Sequence, residues 1–161
     1  MNKKDYKFSF DVYGTSDELN DADKVLLDKA RKVTEQAYAP YSNFWVGAAA
    51  KLVNGEVVTG TNQENASYPV GICAERVLLS AVSTLFPNVA IDTMAIAYHS
   101  LQGKSNVPVS PCGMCRQALL EYQNRTQKSI RLILSGLEDE VIIIERADLL
   151  LPLSFTGENL K

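Results

Sequence analysis

The chain has 161 residues, 46% of them hydrophobic and 22% charged, and 16 Lys and Arg against 19 Asp and Glu leave a net charge of -3. This is the composition of one globular domain with a real core, and no basic run is dense enough to follow a phosphate backbone, which argues against nucleic acid as a partner. No stretch is long and apolar enough to span a bilayer and no signal-peptide block lies near the N-terminus, so no membrane partner is expected and the cytoplasm is the expected location.

In chain order, Tyr6, Phe8, Phe10 and Val12 recur at period two, which predicts a short strand or an arm docked on a core. From about Asn20 to Ala39, apolar residues recur at three and four (Ala22, Val25, Leu26, Ala30, Val33, Ala37) behind Asp21 and Asp23, as an amphipathic helix requires, and Pro40 is expected to end it. Residues 46–53 and 56–62 flank Asn54 and Gly55, a hairpin signal of the type I′ kind. Residues 73–86 predict a helix with Val77, Leu78, Ala81, Val82 and Leu85 inward; VAIDTMAIAYHS then predicts a buried strand. A second helix starts at PCGMCRQ, IRLILS and VIIIE are two further strands, and ADLLLP closes with a turn broken at Pro152. The sum predicts an α/β fold, a three-layer α/β/α sandwich on a mixed sheet of about five strands. Residues 1–20 read as an N-terminal extension and 21–161 as one folded domain.

Three cysteines, Cys73, Cys112 and Cys115, cannot all pair within one chain, which points to reduced thiols. By itself the CxxC of PCGMC is compatible with a redox pair or with half of a metal site. All three cysteines fall at predicted helix starts, where free backbone N–H groups and the helix dipole stabilise thiolates. Three thiolates aimed at one point would repel one another, and a bound zinc ion removes that repulsion. The chain has only one histidine, His99, at the end of a predicted strand and read as an ordinary edge residue, so three ligands leave one position of a tetrahedral ion open to water. Glu75, two residues after Cys73, is placed to move that water's proton.

These residues carry a resemblance. CAE at 73–75 with PCGMC at 111–115, together with YSNFWVGAA (41–49), GTNQENASYPVGICAER (60–76) and LLPLSF (150–155), resembles the cytidine deaminase family in its Cys-only, small tetrameric form, over roughly residues 22–160. The resemblance implies one zinc per chain on Cys73, Cys112 and Cys115, with Glu75 as proton shuttle in the hydrolytic deamination of cytidine and deoxycytidine during pyrimidine salvage. It further implies that the backbone around Ala74 fixes the base, that Phe44 packs on the pyrimidine, and that Asn62 and Glu64 bind the ribose 3′-hydroxyl. Phe155 would reach a neighbouring subunit's site, Tyr68 would lie in an interface, and Arg76 would hydrogen-bond the thiolates, with Arg116 a further candidate for that role. The implied assembly is a homotetramer with shared sites and a nucleoside substrate. Trp45 departs from the family pattern beside Phe44 and bears on pocket width. Met114, between two ligands, is expected as a core contact. A deaminase acting on a modified cytosine nucleoside, a non-catalytic zinc-stabilised interaction protein and a redox protein are the competing readings.

Overall fold

A computed structural model describes residues 1–161. Six strands, β1 (Asp11–Tyr13), β2 (Phe44–Leu52), β3 (Val57–Thr61), β4 (Ile91–Ser100), β5 (Arg131–Ser135) and β6 (Val141–Ile144), form one sheet in the order β1-β6-β5-β4-β2-β3. Only β4 and β5 run parallel; every other neighbouring pair is antiparallel. The sheet is therefore mixed, as expected, but has six strands where about five were expected. The extra one is β1, the last three residues of the period-two N-terminal stretch, which hydrogen-bonds along β6.

Alternation along the strands builds two cores, one on each face. Leu26, Leu27 and Ala30 of helix α1 (Asp21–Val33) pack on Ala49, Ala95, Ala97, Ile133 and Ile143. On the other face, helices α2 (Ala74–Leu85) and α3 (Gly113–Thr126) cover Ala48, Ala50, Met94, Ile96, Leu132 and Leu134. The period of two puts successive residues of β2, β4 and β5 on opposite faces, so strands buried on both sides read as continuous apolar runs. This is the expected three-layer sandwich.

Local chemistry sets the helix ends. The Asn20 side chain caps α1 by accepting from the Asp23 amide at 3.0 Å. The helix stops at Val33 and continues only as a 3-10 turn, Thr34–Gln36, short of the expected end near Pro40. The buried residues of α2 are Ala74, Glu75, Leu78, Leu79 and Val82, whereas Leu85, expected inward, is exposed at the last position of the helix. Val25 of α1 is likewise exposed rather than inward.

The hairpin between β2 and β3 is present, but its turn differs from the expected type I′. Gly55 alone takes a positive φ of 89°, while Asn54 does not, and the Gly55 amide donates to the Leu52 carbonyl at 3.0 Å. One left-handed residue after an ordinary turn is enough to close a three-residue loop, and glycine adopts it without strain. No helix is long and apolar enough to cross a membrane.

Candidate active site

The site is made where α2 and α3 begin on the same face of the sheet. Cys73 is the N-cap residue of α2, Cys112 is that of α3, and Cys115 lies one turn into α3, so two helix N-termini converge on three sulfurs. The position of α2 depends on Gly60 in β3. A Cβ there would come within 2.6 Å of the Leu78 amide and 2.7 Å of the Ala74 carbonyl, so only glycine lets the helix lie this close to the strand.

The Cys73 and Cys112 sulfurs are 3.8 Å apart and those of Cys112 and Cys115 3.5 Å apart; all three lie within 4.8 Å of one another. A tetrahedral zinc ion with bonds of about 2.3 Å needs sulfurs about 3.8 Å apart, so the side chains fit that ion with little movement. The Cys115 thiol next to it lowers Cys73 to about 6. The same pairing, with burial, raises Cys115. Cys73 thus gives up its proton easily while Cys115 holds its own, as two crowded thiols should behave before a dication screens them. No histidine or fourth cysteine joins the cluster: His99 lies on the opposite face of the sheet, edge-on to Trp45 with ring centroids 5.7 Å apart.

The fourth side of the cluster faces a cavity of ≈480 Å³ whose walls include Cys73, Cys112 and Glu75. Glu75, in the first turn of α2, is 4% exposed, and burial raises its carboxyl above the ordinary range. A carboxyl tuned upward beside an open metal position is suited to taking and returning a proton near neutral pH. Ala74 between them is fully buried.

The opposite end of the cavity is polar. Asn62, at the end of β3, donates from Nδ2 to the Phe44 carbonyl at 2.9 Å and accepts at Oδ1 from the Val46 amide at 2.7 Å, leaving one N–H and one lone pair for a ligand. Glu64 accepts from the Tyr41 and Ser42 amides at 2.9 and 3.3 Å. Partial burial raises the Glu64 carboxyl, but the Ser42 hydroxyl and those two amides outweigh it and hold it below the usual range, so it is a standing acceptor. Asn62, Glu64 and Phe44 all line the cavity.

Several expectations need revision. Trp45 does not line the cavity: alternation on β2 turns it to the α1 face, so it has no bearing on pocket width. The Arg116 guanidinium donates to the Pro111 carbonyl at 2.8 Å and the Leu150 carbonyl at 3.0 Å, which ties the start of α3 to the C-terminal segment and leaves the thiols alone. Arg76 acts on Cys73 through its charge, which lowers that thiol, and makes no hydrogen bond to the sulfurs within the chain. Met114 is 63% exposed and not a core contact. Phe155 and Tyr68 are exposed; Phe155 is held over α3 by Gln117, which donates to its carbonyl at 3.0 Å, and neither ring lines the cavity of its own chain.

One cavity residue escaped sequence reading. Tyr98 of β4 stacks on Phe44, with ring centroids 4.7 Å apart and planes 13° from parallel. Its signal was present in the alternation Met94, Ile96, Tyr98, which puts all three on the α2 and α3 face, but nothing local says that the face opens into a cavity at its last member.

Comparison with known proteins agrees with this geometry. Residues 20–130 match the family model described as the cytidine and deoxycytidylate deaminase zinc-binding region. A cytidine deaminase of Halalkalibacterium halodurans is 37% identical over 85% of this chain and 96% of that protein. One from Sporosarcina psychrophila is 34% identical over 84% and 92%. Among solved structures, the cytidine deaminase of Burkholderia pseudomallei superposes with a TM-score of 0.70 at 34% identity, covering 81% of this chain and 97% of that one. With two helix starts bringing three thiols together over a cavity that a buried glutamate enters, the chain belongs to the cytidine and deoxycytidylate deaminase zinc-binding family.

Proposed function

We propose that the chain is a cytidine deaminase that hydrolyses cytidine and deoxycytidine to uridine and deoxyuridine with release of ammonia, as the named activity of its relatives suggests. The observation that carries this reading is the pairing of a three-thiol cluster, open on one side, with the buried Glu75 in the wall of the same cavity. Cys73, Cys112 and Cys115 would hold one zinc ion, which when bound supplies an acidic water as the nucleophile.

Glu75 accepts the proton of that water and delivers it to the pyrimidine ring nitrogen beside the amino-bearing carbon. As the water's oxygen bonds to the amino-bearing carbon, Glu75 moves that oxygen's remaining proton to the amine, the carbon–nitrogen bond breaks, and ammonia leaves with a carbonyl behind it. Burial favours both steps, because it raises the carboxyl's affinity for a proton and holds competing water away. Phe44 gives the pyrimidine an apolar surface, the backbone around Ala74 fixes its polar edge, and Asn62 and Glu64 take the sugar 3′-hydroxyl, which admits both ribose and deoxyribose.

The exposure of Phe155 and Tyr68 supports a homotetramer in which these rings serve a neighbouring subunit, and Arg76 would reach the thiolates once they are ionised. In this reading residues 1–20 are an extension to a catalytic domain spanning 21–161, and the three unpaired thiols suit the reducing cytoplasm. The substitution Glu75→Gln tests the mechanism. Zinc near one per chain and an unchanged melting temperature are expected, with cytidine turnover, followed by ultraviolet absorbance, reduced by about 10²- to 10⁴-fold. Turnover equal to wild type would end the assignment of Glu75.

A further inference from the structure

We propose that Tyr98 is a specificity-determining residue, whose ring closes the base pocket against cytosines carrying a substituent on ring carbon 5. The inference rests on the cytidine deaminase reading and deepens it.

The ends of the cavity leave the substrate little choice of orientation. Its amino group and the adjacent ring nitrogen must face Glu75 and the thiols, and its sugar must face Asn62 and Glu64 at the other end. Apart from its two ends the cavity is lined chiefly by Val46, Ile96 and Tyr98 of the sheet and by Ile72 and Val109, and in the proposed pose the ring edge bearing carbons 5 and 6 meets the sheet. In the register of β2 and β4, Val46 is paired with Tyr98, and Ala48 with Ile96, so this wall is a continuous surface of two adjacent strands. Tyr98 is its largest member and is 7% exposed.

The ring does not stand free. Its near-parallel contact with Phe44, at 4.7 Å and 13°, locks two aromatic planes into one slab, and neither ring can tilt without displacing the other. A wall on rigid strands, backed by a stacked partner, yields less than a loop would, so an added group on the base is excluded on shape. A hydrophobic wall of this kind discriminates one extra carbon by about 10- to 200-fold. The phenol makes no hydrogen bond within the chain that anchors it elsewhere, so the ring and not the hydroxyl carries the effect; Phe should therefore replace Tyr here without relaxing selectivity.

The experiment compares kcat/KM for cytidine and 5-methylcytidine in wild type, Y98F, Y98L and Y98A, with zinc content and melting temperature measured on each zinc-loaded protein. The ratio of 5-methylcytidine to cytidine should rise by about tenfold or more in Y98A, should rise partway in Y98L, and should stay at the wild-type value in Y98F. For cytidine itself, Y98A should raise KM more than it lowers kcat, because the loss is in binding the base. A ratio within about twofold of wild type in whichever of Y98A and Y98L retains zinc overturns the proposal, as does a raised ratio in Y98F. Wild-type protein that leaves cytidine unchanged would instead defeat the deaminase reading, so the two failures are distinguishable.

Discussion

The Asn62 amide is bonded on both sides to β2, to the Phe44 carbonyl and the Val46 amide, so it fixes the start of that strand as well as offering its remaining groups to a sugar. Replacing it with Ala removes two hydrogen bonds worth about 1 kcal/mol each, and frees Phe44 from its backbone tether. Asn62→Ala should therefore lower the melting temperature by roughly 4–8 °C at about 2–4 °C per kcal/mol, and should raise the cytidine KM by about tenfold with a smaller effect on kcat. Calorimetry and initial rates check both halves. A raised KM at unchanged stability would mean that the sugar contact alone matters and that the bonds to β2 are incidental. Glu64 shows the same doubling of roles, since the Ser42 hydroxyl, with the amides of Tyr41 and Ser42 that hold it in place, also favours its ionised form.

Among the elements, α2 has the most exacting placement. Its first turn carries the Cys73 cap, the Glu75 carboxyl and the buried Ala74, and all three follow from how closely the helix approaches β3 at Gly60. Val suits an isolated strand better than Gly does, so local propensity favours Gly60→Val; packing opposes it, because the new side chain would enter the space of the Leu78 amide and the Ala74 carbonyl. Packing should win. The variant is expected to lose about 1–3 kcal/mol and to hold less than one zinc per chain, since a displaced α2 takes Cys73 away from Cys112 and Cys115. Thermal denaturation with zinc quantification measures this, and full zinc loading in a destabilised variant would show that the cluster tolerates a shifted helix.

For the whole molecule, the rings of Phe155 and Tyr68 lie outside the cavity of their own chain. Phe155 is 58% exposed and Tyr68 77% exposed, so both rings are free to meet a second copy of the chain. If sites are shared as proposed, Phe155→Ala and Glu75→Gln lie in different subunits of any one site. Co-expressing the two variants should then restore activity that neither has alone, approaching about a quarter of wild type when subunits mix at random. Activity no greater than the average of the separate variants would place each site within one chain. The exposed Tyr6, Phe8 and Phe10 belong to this scale too; the Tyr6 hydroxyl donates to the Leu149 carbonyl at 3.1 Å, which holds the N-terminal arm against the same C-terminal segment that Arg116 grips.

Element types, the three thiols and the glutamate between them were legible in the sequence because each is a local pattern: alternation, a helical period, a cap, a spacing. What the local patterns left open was where neighbouring strands and helices meet. Asn62 read as a sugar ligand, yet its bonds to β2 depend on the pairing of β2 with β3. Trp45 and Phe44 are adjacent in sequence and look equally close to the base, but strand alternation sends them to opposite faces. Arg116 and Arg76 look equivalent as counter-charges, and only the fold shows one of them spent on two carbonyls. The sixth strand and the Tyr98 wall arise from contacts between segments far apart in the chain, β1 with β6 and β4 with β2. The chemistry of the site is thus written in residue types at short spacing, whereas the shape of its pocket is decided by long-range register, which no short window of sequence contains.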